Sequence, residues 1–197
     1  MATAQPPKSI CVYCGSRTGN SPAHRAAASA LGTAIAQHGL RLVYGGGQLG
    51  LMGILADAAL AQGGEVVGVI PEMLVRRESA HRGLTELIVV DSMHARKAKM
   101  VELSDAFIAL SGGLGTLDEL FEILTWAQLG FHQKPCGILN IDGYYDSLLA
   151  FLDHAVSEGF VKPSQRTALL VSSSVSELLA EILQPRIIST AVPKELL

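Results

Sequence analysis

Two glycine-rich turns carry residues that suit a phosphorylated ligand. Ser111 to Glu119 reads Ser-Gly-Gly-Leu-Gly-Thr-Leu-Asp-Glu and follows Asp105–Leu110 (DAFIAL), an apolar run of the kind that forms a buried strand feeding a helix. Leu40–Tyr44 (LRLVY) runs in the same way into Gly45-Gly46-Gly47-Gln48-Leu49-Gly50-Leu51-Met52-Gly53. Glycine lets the main chain approach a ligand closely, and the unpaired N–H groups of a first helical turn are partly positive, so such a junction seats a phosphate. Neither turn matches a catalogued fingerprint. The Ser111 turn lacks the Lys-Ser/Thr of a P-loop, and the Gly45 turn is not a G-x-G-x-x-G with an acid at the expected distance. Their occurrence together points to a nucleotide-like ligand.

Charged residues break the helical pattern near both turns. At about 100° per residue, Met93, Met100, Val101 and Leu103 define the apolar arc of one helix, Arg96 and Lys97 fall inside it, and Ala95, Lys99 and Glu102 face outward. Two inward cations either snorkel along the edge of the core or face an anion, which a ligand phosphate or nearby carboxylates would supply. In the helix after Gly113 the core stripe reads Leu117, Leu120, Phe121 and Leu124, with Glu119, Glu122 and Trp126 on the opposite face. An indole on that face calls for a cover, and a symmetric partner subunit is the simplest one. Asp118 and Glu119 are neighbours on the helix and cannot flank one bond as paired acids do, so Glu119 acts alone or with Glu122. Glu78, in the loop Pro71–Gly83, is a further acid that could reach the cleft.

The elements that must position these residues alternate. Apolar, strand-like runs recur at Ser9–Tyr13, Leu40–Tyr44, Val66–Ile70, Leu87–Val90, Ala106–Leu110, Cys136–Ile141 and Leu169–Val171. Helical patterns fall between them at about 21–38, 49–62, 92–103, 115–129, 144–157 and 174–182, the first with Ser21 as N-cap, Pro22 in the first turn and Gly39 just past its end. Strict alternation with near-continuous Val/Ile/Leu strands implies an α/β fold, a parallel sheet covered by helices on both faces, in which ligands bind outside the strands' carboxyl ends. Both glycine turns lie at those ends, as does Cys14-Gly15-Ser16, so Gly15, Ser16, Gly45, Gly46 and Gly47 are candidate cleft-loop residues. Residues 9–183 read as a single domain, 1–8 as a flexible lead and 184–197 as a tail without clear period.

Composition narrows the classes. With 197 residues, 49% of them hydrophobic and 17% charged, the chain can bury one substantial core. A net charge of −3 and a pI near 6.0 argue against a nucleic-acid binder, and Arg76, Arg77 and Arg82 are too small a basic cluster to reverse that. No apolar stretch reaches membrane-spanning length and the first residues have no signal-peptide core, which makes a cytoplasmic location the expectation. Cys11, Cys14 and Cys136 read as buried small residues, since no second Cys/His pair completes a ligand set for the Cys11-x-x-Cys14 spacing. No metal is expected.

The ordered set Gly45-Gly46-Gly47-x-x-Gly50-Leu51-Met52-Gly53, Met93-His94-x-Arg96-Lys97 and Gly112-Gly113-x-Gly115-Thr116-x-x-Glu119 resembles the signatures of the Lonely Guy (LOG) family, cytokinin riboside 5′-monophosphate phosphoribohydrolases. The likeness runs from about Ile10 to Leu179 and includes Thr125-Trp126-Ala127-Gln128-Leu129-Gly130. It implies a Rossmann-like, doubly wound sheet, a homodimer with active sites near the interface, and hydrolysis of the N-glycosidic bond of a nucleoside 5′-monophosphate without metal or redox cofactor. By the same resemblance Arg96 and Glu119 correspond to the catalytic pair, and Glu78, Lys97, Gly112, Gly113, Leu114, Gly115, Thr116, Leu117, Asp118 and Thr125 to substrate-binding positions. The label lysine decarboxylase, sometimes attached to relatives, finds no support in these residues. Two departures stand out. Ser111 replaces the family's proline, which relaxes φ and restores an N–H, and Asp118 stands where glutamate is usual, which bears on fine selectivity. A non-catalytic nucleotide or cofactor carrier on the same scaffold is the alternative function.

Overall fold

Ile10 and Val12 leave the first strand on one side and Cys11 and Tyr13 on the other, and all four are buried, because this strand is covered on both faces. In the computed structural model, which describes residues 6–75 and 80–184, the elements in chain order are β1 (Ser9–Tyr13), α1 (Pro22–Gln37), β2 (Arg41–Tyr44), α2 (Gly50–Ala61), β3 (Val66–Pro71), α3 (Glu72–Val75), β4 (Glu86–Val90) and α4 (Met93–Glu102). They continue with β5 (Ala106–Ala109), α5 (Leu114–Gln128), β6 (Cys136–Leu139), a 3₁₀ turn (Ile141–Gly143), α6 (Asp146–Ser157), α7 (Pro163–Ala168), β7 (Leu169–Ser172) and α8 (Val175–Ile182).

The strands form one seven-stranded sheet of order β4-β3-β2-β1-β5-β6-β7, parallel throughout. The Ile10/Val12 face packs α1, α2 and α8, with Leu31, Ile35, Leu51, Leu55, Leu178 and Ile182 fully or almost fully buried there. The Cys11/Tyr13 face packs Met100 of α4, and Leu120 and Ile123 of α5, against Phe107 and Val69. The chain lays β2 to β4 outward on one side of β1, then returns to place β5 on its other flank, with Tyr13 opposite Ala109. The order reverses between β1 and β5, and the loops leaving them lead to helices on opposite faces. A crevice therefore opens outside their carboxyl ends.

The doubly wound, Rossmann-like sheet expected from alternation is the one observed. Ser21 caps α1 by accepting from Ala23 N at 3.2 Å, and Gly39 beyond its end takes φ 68°. Some boundaries differ. Pro71–Gly83 contains the short helix α3, whose four residues are too few to show a period. A second short helix, α7, begins at Pro163, and the strand expected to run to Ile141 stops at Leu139, where the chain tightens into the 3₁₀ turn. Most of the lead and of the tail, and Arg76, Arg77 and Glu78, lie outside the described residues. Among the described residues no helix is long and apolar enough to cross a membrane.

Candidate active site

The loops at the reversal point are stitched to each other by main-chain hydrogen bonds. Gly15 N donates to Ser111 O at 3.1 Å, Leu51 N donates to Gly15 O at 3.0 Å, and Leu110 N donates to Tyr13 O at 2.9 Å. The turns after β1, β2 and β5 thus converge, and the approach is close. Gly50 has φ 64°, and a Cβ there would lie 2.2 Å from the carbonyl carbon of Ser16, so only glycine fits. Over these turns lies a cavity of about 580 Å³, lined among others by Ser16, Gly45, Arg96, Gly112, Thr116 and Glu119.

Arg96 is 5% exposed. Its Nε donates to Val69 O at 3.1 Å and its Nη2 to Gly45 O at 2.9 Å, with Met93 Sδ 3.9 Å from Nη1. The ends of β2 and β3 thus hold the guanidinium as a fixed cationic wall of the cavity. Gly45 is what makes room for it, since an added Cβ would stand 2.0 Å from Nη2. Glu119 reaches the same cavity from α5. The two side chains share one electrostatic neighbourhood, for both act on the Cys14 thiol, which lines the same cavity. Burial pushes that thiol well up, the charge of Glu119 pushes it further and Arg96 pulls it back. Cys11 is raised by the same two leading causes, burial first and Glu119 second.

At the other end of the cavity, α5 begins at Leu114 with Gly113 as N-cap and no side-chain cap, leaving its first N–H groups for a ligand. The glycines here differ in kind. A Cβ on Gly112 would meet Thr116 Oγ1 at 2.1 Å and Gly15 N at 3.0 Å, whereas a Cβ on Gly113 or Gly115 would meet nothing within 4 Å. Packing requires Gly112, whereas Gly113 and Gly115 border open space. Ser111 is buried and its Oγ lies 2.9 Å from His24 Nδ1. Tyr144 packs edge-on against that imidazole and donates its hydroxyl to Gly112 O.

Of the residues singled out in the sequence, Gly15, Ser16, Gly45, Arg96, Gly112, Gly113, Leu114, Gly115, Thr116 and Glu119 line this cavity, and others lie elsewhere. Gly46 and Gly47 turn away: Gly46 O accepts from His81 N at 2.9 Å and Gly47 bridges to Ala80, so they fasten the end of the segment that carries Glu78. Lys97 is buried as expected, but its Nζ bonds Asp118 at 3.1 Å and Glu122 at 2.9 Å, so its anions are carboxylates of α5. Burial works against its ammonium, yet those two partners outweigh that and raise its pKa above the ordinary lysine value. Leu117 is absent from the cavity lining, and Thr125 lines a separate groove of about 350 Å³ with Phe121, Leu124, Leu152 and Val161. The α5 stripe is rotated from the expected one. Phe121 is 37% exposed, while Trp126 is partly buried against the α5 side of the core, so the indole is covered in part from within the chain. Helix periodicity fixes which residues share a face, and the direction in which that face points depends on where the helix docks. Met52 and Met93, read in the sequence only as parts of motifs, also line the cavity, as do His24 and Tyr144, which the sequence reading did not single out. The available signal was the position of His24 in the first turn of the helix that follows Cys14-Gly15-Ser16.

Known proteins resemble this chain over most of its length. A family model described as "possible lysine decarboxylase" matches residues 52–182. The chain is 52% identical, over 93% of its own length and 94% of the other's, to a cytokinin riboside 5′-monophosphate phosphoribohydrolase from Rhodococcoides fascians. It is 50% identical, over 89% and 82%, to an enzyme of that name from Arabidopsis thaliana. Among solved structures, the molybdenum cofactor binding protein of Rippkaea orientalis superposes with a TM-score of 0.67 at 26% identity, covering 92% of this chain and 99% of that one. The molybdenum cofactor carrier protein of Chlamydomonas reinhardtii, with a TM-score of 0.66 at 24% identity over 91% and 96%, shares the fold. With half its residues identical to those phosphoribohydrolases over nearly its whole length, the chain belongs to the Lonely Guy family.

Proposed function

We propose that the protein hydrolyses the N-glycosidic bond of adenosine 5′-monophosphate or its N6-modified forms, releasing the free base and ribose 5-phosphate. The observation that carries this reading is that Glu119, Arg96 and the open first turn of α5 face one cavity, whose size suits a single small ligand. The 5′-phosphate sits on the N–H groups of Gly113 to Thr116 and on the Thr116 hydroxyl. The base lies toward Arg96, where Met52, Leu74 and Met93 supply apolar wall.

Chemistry follows from that placement. As the C1′–N9 bond breaks, its electron pair leaves with the base and positive charge grows on the ribose. The Glu119 carboxylate stabilises that charge and accepts a proton from the water whose oxygen bonds C1′, and the base nitrogen finally takes up a proton. Arg96, already immobilised by two carbonyls, opposes the negative charge on the departing base or orients Glu119. Phosphate binding, remote from the reacting bond, holds C1′ in register. None of these steps calls on the amine chemistry of a lysine decarboxylase.

Two copies of the chain are inferred to form a homodimer. The support is the groove around Phe121, Leu152 and Val161, with Leu129 and Phe160 exposed by 49% and 87%, more apolar surface than isolated residues on a monomer need. Light scattering after size exclusion tests this. Incubation with adenosine monophosphate and its N6-isopentenyl derivative, followed by chromatography for free base, tests the activity. Glu119→Ala and Arg96→Ala are each expected to abolish release while the chain stays folded, and either one retaining parental turnover removes that residue from the mechanism. The resemblance in fold to cofactor carriers favours a second reading, ligand binding without cleavage, which the same chromatogram separates.

A further inference from the structure

The buried histidines of this protein differ in one respect. His81 has both ring nitrogens engaged, Nε2 with Asp57 at 2.8 Å and Nδ1 with Gly83 N at 3.1 Å. The partly buried His132 is the same, with Nε2 on Ile123 O at 2.9 Å and Nδ1 receiving Lys134 N at 3.1 Å. His24, only 8% exposed, has one nitrogen engaged: Nδ1 lies 2.9 Å from Ser111 Oγ. Its Nε2 has no hydrogen-bond partner among the described residues, and it is not among the polar atoms sealed from solvent. The ring lines the cavity.

That ring is also clamped. The Ser21 cap and Pro22 set His24 in the first turn of α1, Tyr144 meets it edge-on at 5.6 Å and 79°, and a Cβ on Gly19 would stand 2.9 Å from its Cδ2. Tyr144 in turn holds Gly112 O through its hydroxyl. The histidine is therefore fixed to the loop that opens α5. The ring is nine-tenths buried, yet its unpaired Nε2 is not sealed from solvent, and the cavity that the ring lines is also lined by the first turn of α5, which has no side-chain cap.

We propose that His24 is a phosphate-binding residue of this cavity, its Nε2–H donating to the 5′-phosphate of the nucleotide in the tautomer set by Ser111. Phosphate oxygens only accept, so Nε2 must carry a proton. In the neutral ring that requires Nδ1 to accept, and the Ser111 hydroxyl is the donor placed to make it do so. Ser111 then has a function: it points a hydroxyl at the imidazole and completes a relay from loop to ring to ligand. This inference rests on the nucleotide reading of the cavity and adds a group to its phosphate end.

The test uses His24→Phe, which keeps the ring volume and the Tyr144 contact but removes both nitrogens, together with Ser111→Ala. With adenosine monophosphate as substrate, His24→Phe is expected to lower kcat/KM by about tenfold or more, as loss of a hydrogen bond to a charged group does, with the loss carried by KM. Calorimetry with ribose 5-phosphate should show a matching rise in Kd. Ser111→Ala should give a smaller loss, and the double variant no more than His24→Phe alone. In the parent, the ¹⁵N-labelled His24 ring should report the Nε2–H tautomer and move on addition of ribose 5-phosphate, a measurement that does not depend on how well either variant folds. KM and Kd within twofold of the parent in His24→Phe, additive single losses, or an unmoved ring resonance would overturn the proposal while leaving the hydrolase reading intact. A parent that neither binds ribose 5-phosphate nor releases base overturns both.

Discussion

Replacing Gly45 by alanine adds a single methyl group where the structure has room for one only if Arg96 moves. Gly45 is not among the glycines with left-handed φ, so alanine suits the backbone. The new Cβ would lie 2.0 Å from Arg96 Nη2, 3.1 Å from Cζ and 3.2 Å from Met52 Sδ. The guanidinium is the far end of a flexible side chain and must retreat by roughly 1.5 Å to reach ordinary contact. It then gives up the 2.9 Å bond to Gly45 O, a charge-assisted interaction worth about 1.5–3 kcal/mol. A displacement of that size at a catalytic group lowers turnover by about 10²-fold. The assay is base release from adenosine monophosphate alongside a thermal melt. The expected result is a chain that folds and melts roughly 3–12 °C below the parent but turns over about a hundred times more slowly. In an Arg96→Ala background, read in the thermal melt, the same substitution should cost little further, because its effect acts mainly through that side chain. Turnover of Gly45→Ala within threefold of the parent would refute the placement of Arg96 as a fixed wall of the site.

Other consequences can be checked in parallel. Gly113→Ala puts a methyl group into space where nothing lies within 4 Å, so the melt should be unchanged while KM for the nucleotide rises about tenfold; unchanged KM would show that the phosphate does not come so close. Lys97→Met keeps the buried stem and removes the ammonium that ties α4 to Asp118 and Glu122. Because Asp118 is largely exposed, the expected loss in a urea melt is only about 1 kcal/mol. Burial lowers the pKa of His132 more than its Ile123 bond raises it, and Lys134 lowers it further. The unfolded chain therefore binds a proton that the folded chain refuses, so this part of the stability is complete above about pH 6.5 and is lost as pH falls from there toward the folded value. The melting temperature should fall between pH 6.5 and 5, with a shallower slope in His132→Gln; an unchanged slope removes His132 as the cause.

Much of the site was legible in the chain because its parts are local. A strand, a glycine turn and a helix N-terminus are contiguous, so Gly112 to Thr116 could be read as a helix-opening turn at a strand mouth and Arg96 as a buried cation before any fold was known. The alternation of apolar strands and helices set the parallel sheet for the same reason, since every period involved is shorter than one element. Ser9–Tyr13 came out to the residue, whereas α3 and α7, with four and six residues, were too short to show a period.

What needed the tertiary structure was everything that depends on direction and on partners distant in sequence. The reversal of strand order between β1 and β5 brings Gly15 onto Ser111, and no local pattern records that crossing. Lys97 sits one residue from Arg96 on the same buried arc, yet the docking of α4 sends one to the carboxylates of α5 and the other to the carbonyls of Gly45 and Val69. Trp126 and Phe121 exchanged their expected places because an amphipathic stripe specifies relative angles and the packed sheet supplies the absolute one. His24 met Ser111 across 87 residues of chain. Sequence by itself determined which residue types stand at the mouths of the strands; the folded chain alone decided which of those mouths share a cavity, because that contact is made by packing between segments that are never neighbours along the backbone.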